Sequence, residues 1–337
     1  MAFDGVTIAG IVGELKEKLV GNRIYKIAQP EKDELILTVK GSCGQVRLLM
    51  SADASLPLLY LTEKNKTSPM TAPNFCMLLR KHLQNARIIS VTQPGLERIV
   101  RFELEHLNEL GDLCRKYLII ELMGKHSNII FCDDRDMIID SIKHISGMVS
   151  SVREVLPGRT YFIPKTQDKA ELLECTAGET AAVLKAKSLP VYKAVYMGFT
   201  GVSPCIAQEL CYRAGVDADL PSAELAGEAL ERIVSELGGL ADCVKKGRYC
   251  FNVVYENGQP VEYAAIRLSS YAQDQSRCFK RISELLEYYY AEKNVITRIR
   301  QRSVDLRKIV QTALERNVKK YDLQMKQLQD TEKREKY

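Results

Sequence analysis

The sequence lacks any run of about 18 apolar residues, so it is not expected to carry a membrane-spanning helix. Its first twenty residues, MAFDGVTIAGIVGELKEKLV, carry acids early. They show no basic stretch leading into an apolar one, so they read as an amphipathic helix and not as a secretory signal. There is no CxxC among the ten cysteines, at 43, 76, 114, 132, 175, 205, 211, 243, 250 and 278, and there are only four histidines. A zinc site needs thiolates or imidazoles clustered at short spacing, and that pattern is missing. Scattered cysteines are expected to be small buried hydrophobes in a reducing cytosol. Also missing are GxxxxGK[ST], GxSxG, HExxH and a GxGxxG following a strand. His82, His106, His126 and His144 have no evident nucleophile beside them, and Asp133-Asp134 sits in an apparent turn, CDDRD. The expectation is a non-enzyme with neither metal nor cofactor. Finally, no glycine or proline follows Pro260, which leaves nothing to interrupt a long helix.

What is present is an uneven charge. The net charge of +5 over 337 residues hides a basic tail: from Lys293 to Tyr337 there are 13 Lys/Arg against 6 Asp/Glu, while the rest carries 35 against 37. A nucleic acid, ribosomal RNA included, is one partner for such a segment, and a solvated helix face is the plainer reading.

Four segments are expected. Residues 1–170 mix helix and strand. Arg23–Gln29, Glu34–Lys40 and Gln45–Met50 alternate like strands, and SADASLPLLYLTEK continues the sheet. Asn74–Asn85 has helical spacing, with Phe75, Leu78, Leu79 and Leu83 on one side. Four β-branched runs follow, Ala86–Gln93, Arg98–Leu104, Tyr117–Met123 and Asn128–Cys132, in the rhythm of an antiparallel sheet. Residues 171–238 turn helical, with Gly198–Gly201 between two helices and Ser203-Pro204 as an N-cap and N1 pair. Residues 239–278 contain a hairpin turning at Asn257-Gly258. Residues 279–337 form a helix of coiled-coil character, whose return helix is expected to lie beyond residue 337. The total is α+β.

Three clusters carry candidate chemistry, each with a plainer alternative. Asp4, in Phe3-Asp4-Gly5, caps the first helix or serves a site. Glu97-Arg98, opening a strand, is a surface ion pair or aims a guanidinium at a phosphate. Lys125, His126, Ser127 and Asn128 form a polar hairpin turn or a donor-rich contact for phosphate and bases.

The stretches MAFDG, NFCMLLRKHLQNARI, PGLERIVRFEL, LIIELMGKHSNIIF, SVREVLPGRTYFIP and GVSPCIAQELCYRAG, in this order, resemble the NFACT-N family of RqcH-like and fibronectin-binding-protein-A-like chains. The resemblance implies a domain similar to the Fpg/MutM DNA glycosylases, then a helix-hairpin-helix domain and the start of a long coiled coil. It implies a cytoplasmic ribosome quality-control factor that binds obstructed large (50S) subunits with peptidyl-tRNA and 23S rRNA. Such a factor recruits alanyl-tRNA for alanine tailing without mRNA, and the ribosome itself makes the bond. It assigns tRNA contact to Asp4, Glu97 and Arg98, and next to Lys125, His126, Ser127 and Asn128. The family motif reads Asp-Arg where this chain has Glu97-Arg98, which keeps the charge and adds a methylene. Two rivals stand beside it. A fibronectin-binding surface adhesin is disfavoured by the absent signal and the unpaired cysteines. A DNA glycosylase is disfavoured because Met-Ala-Phe does not provide that fold's N-terminal proline amine.

Overall fold

The computed structural model describes residues 3–41, 44–108, 110–150, 152–164, 168–186 and 188–334; of residues 292–305 and 328–334 only the helical backbone is described. The first helix, α1 (Gly5–Leu19), starts because the Asp4 carboxylate accepts from the Thr7 N–H at 2.8 Å. It buries Val6, Ile8, Ile11, Val12, Leu15 and Leu19, and Gly21, at φ 84°, turns the chain into the sheet.

Nine strands form one antiparallel sheet: β1 (Arg23–Glu31), β2 (Glu34–Gly41), β3 (Gly44–Ser51), β4 (Leu58–Thr62), β5 (Arg87–Thr92), β6 (Ile99–Leu107), β7 (Leu113–Glu121), β8 (Asn128–Cys132) and β9 (Ile138–Ser141). Their spatial order is β4-β3-β2-β1-β5-β6-β7-β8-β9. The strands expected from the alternation are all there, shifted by a few residues at their ends. β9, a four-residue strand that begins two residues after the CDDRD turn, is an addition. Register between β1 and β5 rests on one pair, Arg23 opposite Arg87, so the sheet is two antiparallel halves stitched at a corner. A bulge in β1 between Ile24 and Lys26 leaves Tyr25 without a partner on β2 and turns both Tyr25 and Lys26 to solvent. Helix α2 (Asn74–Leu83) buries Phe75, Cys76, Leu79 and Leu83 against β1 and β6, with Leu78 only half-buried.

The segment after residue 171 becomes helical later than its composition implies. Helix α3 (Ala177–Lys185) begins at a capping box in which Thr176 and Glu179 satisfy each other's backbone N–H. α4 (Val191–Gly198) and α5 (Pro204–Ala214) follow, the second with Ser203 as cap and Pro204 at N1, as expected. A short 3-10 turn, Ser222–Glu224, precedes α6 (Gly227–Lys245). Val195, Phe199, Ile206, Leu210, Ile233 and Leu237 are fully buried in a core shared with Val6, Leu96, Val254 and Ala265. Each such side chain contributes about 1.5–3 kcal/mol over its exposed state.

The hairpin is β10 (Phe251–Glu256) and β11 (Gln259–Ala264), with Asn257 at φ 50° and Gly258 at φ 74° as an Asn-Gly turn demands. A third strand, β12 (Ser276–Phe279), pairs with β10. The chain from β11 to β12 is fastened by Glu209 of α5, which accepts from the Ser269 N–H at 2.9 Å, the Ser270 N–H at 3.0 Å and Arg213 Nε at 2.7 Å.

Helix α7 (Ile282–Arg334) has 53 residues. At its root the Ser283 hydroxyl accepts from the Leu61 N–H at 3.0 Å and donates to Glu14 at 2.8 Å, while Thr62 donates to Glu287 at 2.8 Å. Residues up to Glu287 form one compact unit and Tyr288–Tyr337 a second. Among the described residues no helix is long and apolar enough to cross a membrane.

Candidate nucleic-acid interface

Three stretches far apart in sequence meet at one crossing: the start of α1, the loop before β6, and the turn between α4 and α5. The Gly5 N–H donates to the Gly201 carbonyl at 2.9 Å. A methyl group on Gly5 would stand 2.0 Å from the Leu96 carbonyl oxygen and 2.7 Å from Gly201 Cα; one on Gly201 would stand 2.3 Å from the same oxygen. Only glycine lets these backbones touch. The Gln93 side chain closes the crossing, donating to the carbonyls of Gly5 at 2.9 Å and Glu97 at 2.8 Å. The N-termini of α1 and α5 therefore open side by side, and their caps, Asp4 and Ser203, are hydrogen-bonded to each other.

Around this crossing lies a mixed charge cluster. Asp4 is only 7% exposed; burial pushes its carboxyl above the usual range, against hydrogen bonds from Ser203 and Thr7. Glu97 and Arg98 are half-buried at the entrance to β6. Burial is the main cause that raises Glu97, and Glu171 adds to it, while Arg98 and Lys169 pull it down. Burial lowers Arg98 against the attraction of Glu97 and Asp4. Lys169 is lowered by burial and by repulsion from Arg98, with Glu97 opposing, and its ammonium donates to the Tyr196 carbonyl at 2.9 Å. Glu171 completes the group. A Cβ on Gly95, whose φ is 51°, would fall 2.3 Å from its Oε2, and that buried oxygen has no hydrogen-bond partner among the described residues. Two cations and three carboxylates thus share a half-dry seam, where each charge acts more strongly than in water.

The turn after β7 stands at the same end of the sheet, because Ile99 pairs with Glu121 and the Leu122 N–H donates to the Arg98 carbonyl at 2.8 Å. The expected display of four donors there needs correction. Lys125 and His126 are exposed, on a 3-10 turn, but Ser127 and Asn128 are 1% and 2% exposed. Ser127 Oγ accepts from the Met123 N–H at 2.8 Å; Asn128 donates to the Lys143 carbonyl at 2.8 Å and accepts from the Ile129 N–H at 2.9 Å. Short polar side chains in a turn are drawn to nearby backbone, and here they build the loop that presents Lys125 and His126. Beneath it, Glu121, with no exposed surface, accepts from Tyr161 at 2.9 Å and pairs with Arg153, pinning the 153–163 segment onto β7.

Asp4, Glu97 and Arg98 are therefore brought together, and Asp4 acts from inside, as a cap and an attraction on Arg98. Lys125 and His126 lie on the same end of the body. Lys169 and Glu171 were not anticipated: they fall in an irregular segment with no motif, and only the fold carries them to Arg98. The chemistry available is a guanidinium and an ammonium held close together by carboxylates, an arrangement suited to a phosphate or a base edge. Among the described residues no group of three or more His, Cys, Asp or Glu is placed to hold a metal ion.

Comparison with known proteins fits this architecture. The family model for the NFACT N-terminal and middle domains matches residues 4–337. The chain is 36% identical over 323 residues to the Bacillus subtilis protein named Rqc2 homolog RqcH, covering 95% of this chain and 54% of that protein. It is 31% identical over 334 residues to Rqc2 homolog RqcH of Streptococcus suis, covering 98% and 56%. The chain spans about half the length of these curated relatives. Among solved structures, the N-terminal part of the Streptococcus suis fibronectin/fibrinogen-binding protein superposes with a TM-score of 0.71 at 29% identity, and the Staphylococcus aureus fibrinogen binding protein with 0.72 at 26%. Each comparison covers 86% of this chain and 99% of the other. The expected likeness to MutM (Fpg) is slight, a TM-score of 0.37 at 14% identity for the Thermus thermophilus protein. On the family match and the identity to these relatives, the chain belongs to the NFACT N-terminal family.

Proposed function

We propose that this chain is the tRNA-handling part of a ribosome quality-control factor and that it breaks no bond itself. The observation that carries the reading is the half-buried Arg98, held with Lys169 among Asp4, Glu97 and Glu171 where two helix N-termini open. Such a pair of cations takes a phosphate, and the acids fix their direction. Lys125 and His126 extend the contact, with Ser127 and Asn128 shaping the turn beneath them. The relatives named Rqc2 homolog RqcH, and the mouse ribosome quality control complex subunit NEMF at 26% identity over 141 residues, support the ribosomal setting. In this reading the complete cytoplasmic protein binds obstructed 50S subunits with peptidyl-tRNA, touches 23S rRNA, and recruits alanyl-tRNA for C-terminal alanine tailing without mRNA. The α4–turn–α5 unit serves as a helix-hairpin-helix on a phosphate. The exposed Leu306 and Ile309 of α7, and after a one-residue phase shift Leu314, Val318, Tyr321 and Met325, form the seam of a coiled coil.

The test is Arg98→Ala in the complete protein. A charge-assisted contact of about 1.5–3 kcal/mol corresponds to roughly a 10- to 150-fold weaker tRNA complex, with the fold retained and tailing reduced. Unchanged tRNA recovery and tailing would remove Arg98 from the site. The rival reading as a fibronectin-binding adhesin is carried by the names of the streptococcal and staphylococcal structures alone. Fibronectin binding by the complete protein, with no tRNA retained at low salt, would favour it.

A further inference from the structure

The corner where the two halves of the sheet are stitched carries a row of cations. Arg23 on β1 stands opposite Lys40 on β2 and, on its other side, opposite Arg87 on β5. Two successive cross-strand pairs are thus cation against cation. The second is of the closest kind: the Ile24 N–H to Ala86 carbonyl bond and the Ile88 N–H to Asn22 carbonyl bond flank the Arg23/Arg87 pair instead of joining it. Side chains approach most nearly in such a pair, and like charges there are unfavourable. All three side chains are exposed. Each guanidinium is held by one bond to backbone, Arg23 Nη1 to the Asn85 carbonyl at 2.9 Å and Arg87 Nε to the Gly21 carbonyl at 3.2 Å. Among the described residues the other donors of both forks have no partner, and they are left for a ligand. Glu105 on β6 faces Arg87 across the next strand gap, but among the described residues it forms no ion pair with it.

The β1 bulge adds an aromatic ring to the row. Tyr25 is 53% exposed, and the Lys40 ammonium lies 5.6 Å from its centre. Its backbone carbonyl is fixed by the Gln84 side chain at 3.1 Å, and Lys26, also exposed, follows it. Three cations within two strand spacings, about 10 Å, beside an exposed ring, are the elements of a single-stranded nucleic-acid platform: charge for the backbone and a flat face for a base. An acidic peptide needs no ring, and an anionic membrane would take cations on longer, looser stems than two guanidiniums pinned to backbone.

We infer that the Lys40–Arg23–Arg87 row with Tyr25 is a second RNA-binding surface, distinct from the Arg98 seam, which grips the phosphodiester backbone of an unpaired RNA segment and stacks one of its bases on Tyr25. The choice of RNA rests on the reading of this chain as an RNA-handling protein, while the surface stands on its own geometry. The test uses the complete protein and a fluorescein-labelled single-stranded RNA of about 12 nucleotides, followed by anisotropy across a salt series. The triple variant Arg23→Gln/Lys40→Gln/Arg87→Gln should bind about tenfold or more weakly near 100 mM salt, with a log–log salt slope shallower by roughly 2. Tyr25→Ala should lose about fivefold or more with the slope unchanged. Should the triple variant melt early, Lys40→Glu, which disturbs no backbone bond, carries the measurement. Wild-type affinity and slope in these variants would overturn the inference. So would loss of binding to phosphatidylserine vesicles with RNA binding intact, which gives the face to membranes. If Arg98→Ala weakens tRNA binding and the sheet variants leave the oligonucleotide complex unchanged, this inference alone fails; if the unmodified protein binds neither RNA, both readings fail.

Discussion

Replacing Gly5 with alanine should destabilise the fold although alanine is the better helix former. At the first position of α1 the propensity gain is at most about 1 kcal/mol. Against it stands a Cβ that would lie 2.0 Å from the Leu96 carbonyl oxygen and 2.7 Å from Gly201 Cα, both backbone atoms that cannot rotate away. The helix start must move outward. That move strains the 2.9 Å bond from Gly5 N–H to Gly201 and the 2.9 Å bond from Gln93 to the Gly5 carbonyl. Overpacking of this kind costs about 1–3 kcal/mol, and each weakened hydrogen bond about 1 kcal/mol. The net loss is about 2–4 kcal/mol, a factor of roughly 30 to 1,000 in the folding equilibrium. Gly13 is the internal control: it is exposed on the same helix, and nothing lies within 4 Å of its added Cβ. Gly13→Ala should therefore stabilise by about 0.5–1 kcal/mol. Urea unfolding followed by circular dichroism reads both, and the two midpoints should move in opposite directions. A Gly5→Ala midpoint at or above that of the unmodified chain would refute the crossing as described.

Two further predictions rest on groups away from that crossing. Glu209→Gln should cost about 2–4 kcal/mol, because Arg213 and the Ser269 and Ser270 N–H groups lose a carboxylate whose side chain is fully buried. Burial pushes Glu209 up, but those donors outweigh it and hold its carboxyl below the ordinary value. Its stabilising effect is therefore complete above the ordinary glutamate pKa and fades as pH falls through the lower folded-state value; a pH series of urea midpoints should lose that acid-side slope in Glu209→Gln. At the β7–β8 turn, Ser127→Ala should cost about 1–3 kcal/mol by orphaning the Met123 N–H, while Lys125→Ala, on an exposed side chain, should leave the melting temperature unmoved and weaken tRNA retention. Equal melting losses for the two would contradict the division of labour within the turn.

Much of the architecture was legible because local signals agreed with the tertiary result. Alternation located most strands of the large sheet, Asn257-Gly258 located the hairpin, and Ser203-Pro204 located the start of α5. β12 was not legible: SRCF is short, largely exposed and without alternation. The start of α3 falls later than propensity implies because the Thr176 and Glu179 capping box sits after residues that themselves favour helix. At the site, the motifs found Asp4, Glu97 and Arg98 because each lies in a compact local pattern. Lys169 and Glu171 reach the same place through the packing of residues 168–171 against Gly95 and Tyr196, and no local pattern encodes that. The polarity of Ser127 and Asn128 implies exposure, but the backbone of the turn has the stronger claim on them.

The crossing of Gly5, Leu96 and Gly201 also sets an order of events. It joins positions roughly 200 residues apart, so its closure waits on a long loop and belongs late in folding. Asp4 further feels Glu262, on the strand that follows the hairpin turn. A chain still emerging during synthesis has Asp4 and Arg98 early but cannot assemble them with Ser203 and Lys169 until most of the body has been made. The candidate site is thus absent from every shorter partial fold and can assemble only once the chain has been made through the β10–β11 hairpin.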